Sequence, residues 1–450
     1  MLFLDFNLPN PATWFYLSLM LAVGLYFRFN RFFNLRNWDV LSLYLLVPGF
    51  LFLQEAMRTP IPADQNGAAE AQALIKTLNR YGFVWLMAGS GWFFLRCMLD
   101  LTLISRPAMI PNLNLAGLAW FGAAMFICMV PVAIRTPSEQ QLQVGRKTAA
   151  LDVLDKAGTQ TVEQVQQMTG KEKPDEATVG FWVAKTTALL CHLAVVAGLV
   201  MIGAVHFQNT TTGMAAGTLY LLLPYTAYHV GQAQHVLPTA LMIWALYAYR
   251  RPSLSGLLLG LATGGFFFPA LTAPIWLSFY RNQGSRRFFF SFVVTVVVSL
   301  TVAGLFLWWH NELANSLNMT LGLTDWQPWK RSSLPSVWQG IHGAYRLPVF
   351  SLHIALVIAT AFWPSPKNLG HVISLTAAVL IGIQFWYADH GGVYVLWYLP
   401  FLVLMIFRPN LADRFPPPIS PDPPWPLRML HRVARWTARR IQPPEPVPTV

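Results

Sequence analysis

Three short polar runs interrupt an otherwise apolar chain in patterns that could carry chemistry. His229, Gln232 and His235 gather around Gly231. Two imidazoles and an amide at such a place could orient a polar substrate, or could satisfy the turn between two short helices. Asp389-His390-Gly391-Gly392 sets a carboxylate beside an imidazole that titrates near neutrality, although Gly-Gly also reads as loop punctuation. Glu55, Arg58 and Asp64 share the polar segment 54–80, and Lys330 with Arg331 stand in the segment 310–346, close to Trp326, Trp329 and Trp338. A carboxylate that deprotonates an acceptor, with cations that hold a departing phosphate, is what transfer from a phosphate ester requires. The same residues would be ordinary solvated charges if those loops only connect helices.

Soluble-enzyme templates give nothing beyond this. There is no nucleotide-binding glycine loop, HExxH, GxSxG or metal-spaced His/Cys cluster, so no cofactor is expected. A divalent ion would have no ligand set written in the sequence. Cys97, Cys128 and Cys191 lie inside apolar runs, as buried small hydrophobes do. The net charge of +12 would suggest nucleic acid in a soluble protein. Here the basic residues sit between long apolar stretches rather than on one face, so no nucleic-acid partner is expected and membrane topology explains the charge.

The elements that must position these residues are membrane helices. The chain is 55% hydrophobic and only 11% charged, against roughly 25% charged in soluble domains. Apolar runs of about 17 to 25 residues recur along it, and only a helix satisfies its own backbone in lipid. The first run lacks a basic leader and a small-residue cleavage site, so it reads as a retained span. The run from Leu254 to Tyr280 is interrupted at Gly264-Gly265-Phe266-Phe267-Phe268-Pro269, with Arg250 and Arg251 before it and Arg281, Arg286 and Arg287 after it. A hairpin that enters and returns keeps both clusters on the cytoplasmic side, as the positive-inside rule prefers. The expected architecture is an all-α polytopic bundle over residues 1–407 with about 13 spans, the N-terminus outside and the C-terminus cytoplasmic. It would be a multi-pass protein of the plasma (inner) membrane.

Exterior loops are expected at 54–80, 135–179 and 310–346, the second with two amphipathic helices on the outer leaflet. Within the membrane, Arg96 and Asp100 are spaced for an i,i+4 ion pair, and Lys185 and His192 could snorkel or face a cavity. Residues 408–450 form a Pro/Arg-rich tail. Near 427–441, Arg428, Arg432, Arg435 and Arg439 share one side of a basic helix suited to anionic lipid headgroups, unless the tail is a solvated disordered segment.

The order of features from Pro224 to Arg287 resembles the GT-C superfamily of polyprenol-phosphate-sugar glycosyltransferases, most nearly its bacterial mannosyltransferase-like branch. The run Pro224 to Gln232 is followed by a helix, an Arg pair, Gly256-x-x-x-Gly260, a turn with Pro269, then Pro274 and a basic loop. That resemblance implies transfer of a sugar from a polyprenyl-phosphate donor at the exterior face. Glu55 or Asp64 would be the base, Arg58, Lys330 and Arg331 phosphate partners, and His229, Gln232, His235, Asp389 and His390 substrate-binding. Where family members carry a Lys at the outer turn, this chain has Phe266-Phe267-Phe268. The departure leaves a second reading open: a non-catalytic protein of the same fold, or a carrier for a lipid or small solute.

Overall fold

A backbone surrounded by apolar side chains must close its own hydrogen bonds, and the computed structural model does so with helices. It describes residues 11–103, 109–135, 157, 176–309 and 331–417. Among these there is no strand, only the isolated bridges Arg331 to His342 and Ser332 to Gln339. Lys330, Trp326, Trp329, nearly all of the segment 135–179 and the helix expected near 427–441 lie outside the described residues.

The helices are α1 (Pro11–Tyr26), α2 (Leu35–Ser42), α3 (Val47–Arg58), α4 (Gln65–Asp100), α5 (Leu115–Arg135), α6 (Glu176–Val205), α7 (Thr210–Leu222) and α8 (Pro224–Tyr228). After the Gly231 turn come α9 (Ala233–Tyr247), α10 (Pro252–Gly265), α11 (Ala273–Phe279), α12 (Ser285–Trp309), α13 (Arg346–Phe362), α14 (Leu369–Trp386) and α15 (Leu399–Phe407). Seven helical stretches are long and apolar enough to cross a bilayer. The short helices α7, α9, α10 and α15 are largely buried among them. The core is centred on α14, which packs on α4, α13 and α15. By contrast α12 has few fully buried residues and packs chiefly on α10.

Successive helices alternate between two ends. One end, here the basic end, gathers the loops with Arg28, Arg250, Arg281, Lys367 and Arg408. The Asn112 amide donates to the carbonyls of Gly24 (2.9 Å) and Phe27 (3.0 Å), and Lys367 Nζ donates to Ser278 Oγ at 2.7 Å. At the same end the Leu369 N–H donates to the Arg414 carbonyl at 2.9 Å.

The run Leu254 to Tyr280 is broken. Helix α10 stops at Gly265, a 3₁₀ turn covers Phe268–Thr272, and α11 returns. The Tyr280 hydroxyl then donates to the Tyr249 carbonyl at 2.5 Å, so the segment ends where it began. Gly256, Gly260 and Gly264 form the face of α10 that meets α12. A Cβ on Gly260 would stand 2.8 Å from the Phe292 carbonyl oxygen, so only hydrogen fits there.

Segment 54–80 is only partly a loop. Helix α4 starts at Gln65, because Asp64 caps it by accepting from the Gly67 N–H at 2.8 Å. The Ala, Gln, Leu and Lys that follow are good helix formers. At 36 residues and about 1.5 Å per residue, α4 is roughly 54 Å long. That exceeds a bilayer core of about 30 Å, and its first turns are mostly exposed.

The basic end is locked by buried charge. Arg96 meets Asp39 through Nε to Oδ1 at 2.6 Å and Nη2 to Oδ2 at 2.8 Å. Its contact with Asp100, expected from the i,i+4 spacing, is longer at 3.4 Å. Asp100 is instead held by Arg408 Nη2 at 2.6 Å and by the Ser374 hydroxyl. Sequence spacing finds the i,i+4 pair but has no access to Asp39 or Arg408, which tertiary packing delivers.

Candidate functional site

At the end opposite the basic one, three breaks in the helices meet: the Gly231 turn, the bend at Phe267, and the turn after α14. Pro224 ends the run of α7 and starts the one-turn helix α8. His229 caps α8, and Gln232 immediately precedes α9. His229 Nδ1 lies 2.7 Å from Gln232 Oε1, so the turn is closed by its own side chains. Burial pushes His229 down to about 4, against the upward pull of that amide.

His235 is one turn into α9 and fully buried. Its ring stacks on His229 with centroids 4.1 Å apart and on Tyr394 at 5.3 Å. The stack continues from Tyr394 to Trp397 at 4.1 Å and from Trp397 to Phe268 at 3.8 Å. Five rings from three separate segments thus form one column. Neither nitrogen of His235 has a hydrogen-bond partner among the described residues. A buried polar atom without a partner costs about 1–3 kcal/mol. The two nitrogens of His235 are thus polar atoms held inside an aromatic column.

Two residues of α6 complete the cluster. His192 is buried and bonded through Nδ1 to the Tyr220 hydroxyl at 2.8 Å. Lys185 is buried two turns earlier, with its ammonium 5.4 Å from the centre of the Phe181 ring. The same side chain lies against Gly231, where any Cβ would collide with it. A side chain at Gly231 would therefore have to displace the Lys185 ammonium from this turn.

Asp389 and His390 form the open edge of this cluster. His390 Nδ1 is 2.6 Å from Asp389 Oδ1, and both side chains are partly exposed. His390 takes a left-handed backbone, φ +53°, and its N–H donates to the Pro335 carbonyl at 2.8 Å. Gln384 holds the turn from below by accepting from the Gly392 N–H at 3.0 Å. His390 packs on Phe83 of α4, with ring centroids 6.1 Å apart, and is close enough to His235 to act on it electrostatically. Beside it Phe267 meets Tyr387 at 5.8 Å, forming a partly open aromatic shelf. The Trp338 indole closes the far side by donating to the Phe385 carbonyl at 2.9 Å.

Other candidates stand apart. Phe50 of α3 packs on His229 at 5.7 Å, and Glu55 lies five residues further, about 7.5 Å along the axis. Glu55 and Arg58 are both exposed. Asp64 is engaged as the cap of α4. It lies about 27 Å along α4 from Gly82, the residue that packs on α3 at Gly49 and Leu53. Arg331 is exposed in the loop that covers the Asp389 turn. Thus His229, Gln232, His235, Asp389 and His390 come together, whereas Asp64 does not join them.

Sequence reading missed Tyr394, Trp397 and Tyr220, because a lone aromatic in an apolar run carries no signal of its own. Only the proximity of Tyr394 to the Asp389-His390 run could have drawn attention to it. No group of three or more His, Cys, Asp or Glu among the described residues is arranged to hold a metal ion. No protein-family model, no curated protein and no solved structure matches this chain.

Proposed function

We propose that this membrane protein transfers a sugar from a polyprenyl-phosphate donor, at the end of the bundle where the Gly231 and Asp389 turns meet. The observation that carries the reading is the partly open Asp389–His390 pair, 2.6 Å apart, bordering a buried cluster that includes Lys185. With His390 Nδ1–H donated to Asp389, Nε2 is free to take the proton of an acceptor hydroxyl. The acceptor oxygen bonds to the anomeric carbon as the bond from that carbon to the phosphate oxygen breaks. Lys185 then faces the charge gathered on the departing lipid phosphate. The shelf of Phe267 and Tyr387 suits the apolar face of a sugar or the first units of a prenyl chain.

On this reading the base is the Asp389–His390 pair, in place of Glu55 or Asp64. Purified protein in lipid nanodiscs, incubated with labelled polyprenyl-phosphate sugars and an acceptor, should transfer label. His390→Gln and Asp389→Asn should each lower the rate by roughly 10²-fold or more while leaving the melting temperature intact. Folded wild-type protein that neither transfers nor binds any common donor would sink the proposal.

A second reading, a non-catalytic lipid-binding protein or carrier, draws on one observation. Phe268 sits where a phosphate-binding cation is expected, and it is buried in a stack on Trp397 at 3.8 Å. Donor binding without transfer, unaffected by His390→Gln, would favour that alternative.

A further inference from the structure

The loop between α1 and α2 lies at the basic end, away from the transfer chemistry, and reads Arg28-Phe29-Asn30-Arg31-Phe32-Phe33. Its rings face outward. Phe33 is 82% exposed and Phe29 65%, with Phe32, Leu35 and Trp38 exposed beside them. The loop is nonetheless built. Phe27 is buried and meets Phe29 and Phe32 with ring centroids 5.6 and 5.3 Å apart, and Phe32 meets Phe33 at 5.4 Å. Asn37, buried on α2, ties the backbone of the turn. Its Oδ1 accepts from the Arg28 N–H at 2.9 Å, and its amide nitrogen donates to the carbonyls of Arg28 (3.0 Å), Phe32 (3.0 Å) and Arg31 (3.2 Å).

The charges of the loop divide in two. Arg36 turns inward, where Nη2 donates to the Ile110 carbonyl, in the chain that leads into α5. Arg28 is partly exposed and Arg31 exposed, and neither makes an ion pair among the described residues. Asp39 is the one carboxylate between Asp5 and Glu55, and Arg96 holds it. Position then limits what can lie against this surface. The loop runs straight into Leu35–Arg58, a stretch able to cross a bilayer, and Arg36 ties it to the entrance of another, Leu115–Arg135. A loop at the mouths of two spans stands at headgroup depth, where aromatic rings and arginines are both favoured.

We propose that residues 28–38 are a docking surface for an anionic phospholipid leaflet at the basic end. Phe29, Phe32, Phe33 and Trp38 enter the boundary between headgroups and acyl chains, which removes their apolar surface from water. Arg28 and Arg31 hold phosphate oxygens by charge-assisted hydrogen bonds. A neutral leaflet would take the rings but leave both arginines without counter-charge, so the surface selects anionic lipid. Because Asn37 and Phe27 fix the loop beforehand, little ordering is needed on contact.

Phe33→Cys, combined with Cys128→Ala and labelled with an environment-sensitive fluorophore, tests this in the full chain reconstituted into bilayers, since Cys97 and Cys191 are buried. Lipids brominated high on the acyl chain should quench the label. Brominated phosphatidylglycerol should compete for the loop roughly tenfold better than brominated phosphatidylcholine, the order expected of two basic residues near an anionic surface. Added salt should shrink that preference, because exposed charges are screened. Arg28→Gln with Arg31→Gln should make the two lipids equal quenchers while quenching persists. Quenching by aqueous iodide with none by either lipid would overturn a bilayer as the occupant and leave the surface to a soluble partner. Equal quenching by the two lipids while both arginines are present would overturn the anionic preference. Melting curves of each variant in one detergent distinguish loss of lipid contact from loss of fold.

Discussion

Arg408 Nη2 reaches Asp100 Oδ2 at 2.6 Å across 308 positions of sequence, and both side chains are buried. Asp100 also receives Arg96 and the Ser374 hydroxyl, and Arg96 is fixed by Asp39. Charges buried in this way are tolerated only when each has its partner. The network joins α2, α4, α14 and the chain after α15 at the basic end.

Removing one partner strands the rest. Arg408→Met should destabilise the protein by about 3–5 kcal/mol, as breaking buried pairs does. Combining it with Asp100→Asn should cost less than the sum of the single changes, with a coupling of about 0.5–3 kcal/mol. Thermal unfolding of the four proteins in one detergent measures this. Additive losses would show that the two groups act independently.

Asp64 should behave as a helix cap and nothing more. Asp64→Ala loses the hydrogen bond from the Gly67 N–H and should cost about 1 kcal/mol. Asp64→Ser should restore most of it, because a hydroxyl also caps. Neither change should alter sugar transfer or donor binding, in contrast to His390→Gln. A large loss of transfer in Asp64→Ser would return Asp64 to the site.

The contact of α10 with α12 should be intolerant of bulk. Gly260→Val places carbon atoms against the Phe292 carbonyl and Thr295, whose Cβ would be 2.9 Å from the new Cβ. Overpacking of this kind costs about 1–3 kcal/mol, read as a fall in melting temperature. Gly24, which has open space around the same position, should accept Ala with little change.

The histidine cluster at the end opposite the basic one should make stability depend on acid. The folded-state value of His229, about 4, lies below its ordinary 6.5, so between these pH values the unfolded chain binds more protons than the folded one. This contribution is complete above pH 6.5 and is lost as the pH falls toward 4. Melting temperature should therefore drop over that interval, and the drop should be shallower in His229→Asn. An unchanged slope would mean that the ring is not held neutral by the fold.

The sequence by itself determined that the chain is helical and membrane-embedded, because apolar runs of spanning length leave the backbone no other way to satisfy its bonds. It also located the break at Gly264-Gly265, since glycine and proline chemistry is local, and it named His229, Gln232, His235, Asp389 and His390 by type and spacing. It had no means of relating Asp39 to Arg96, or Asp100 to Arg408, because those distances depend on how helices pack. Tertiary structure alone separated Asp64 from His229, Gln232, His235, Asp389 and His390, since a helix that projects past the bundle looks like a polar loop in sequence. It alone also stacked His229, His235, Tyr394, Trp397 and Phe268 into one column, drawing the rings from three segments whose spacing along the chain gives no sign that they meet.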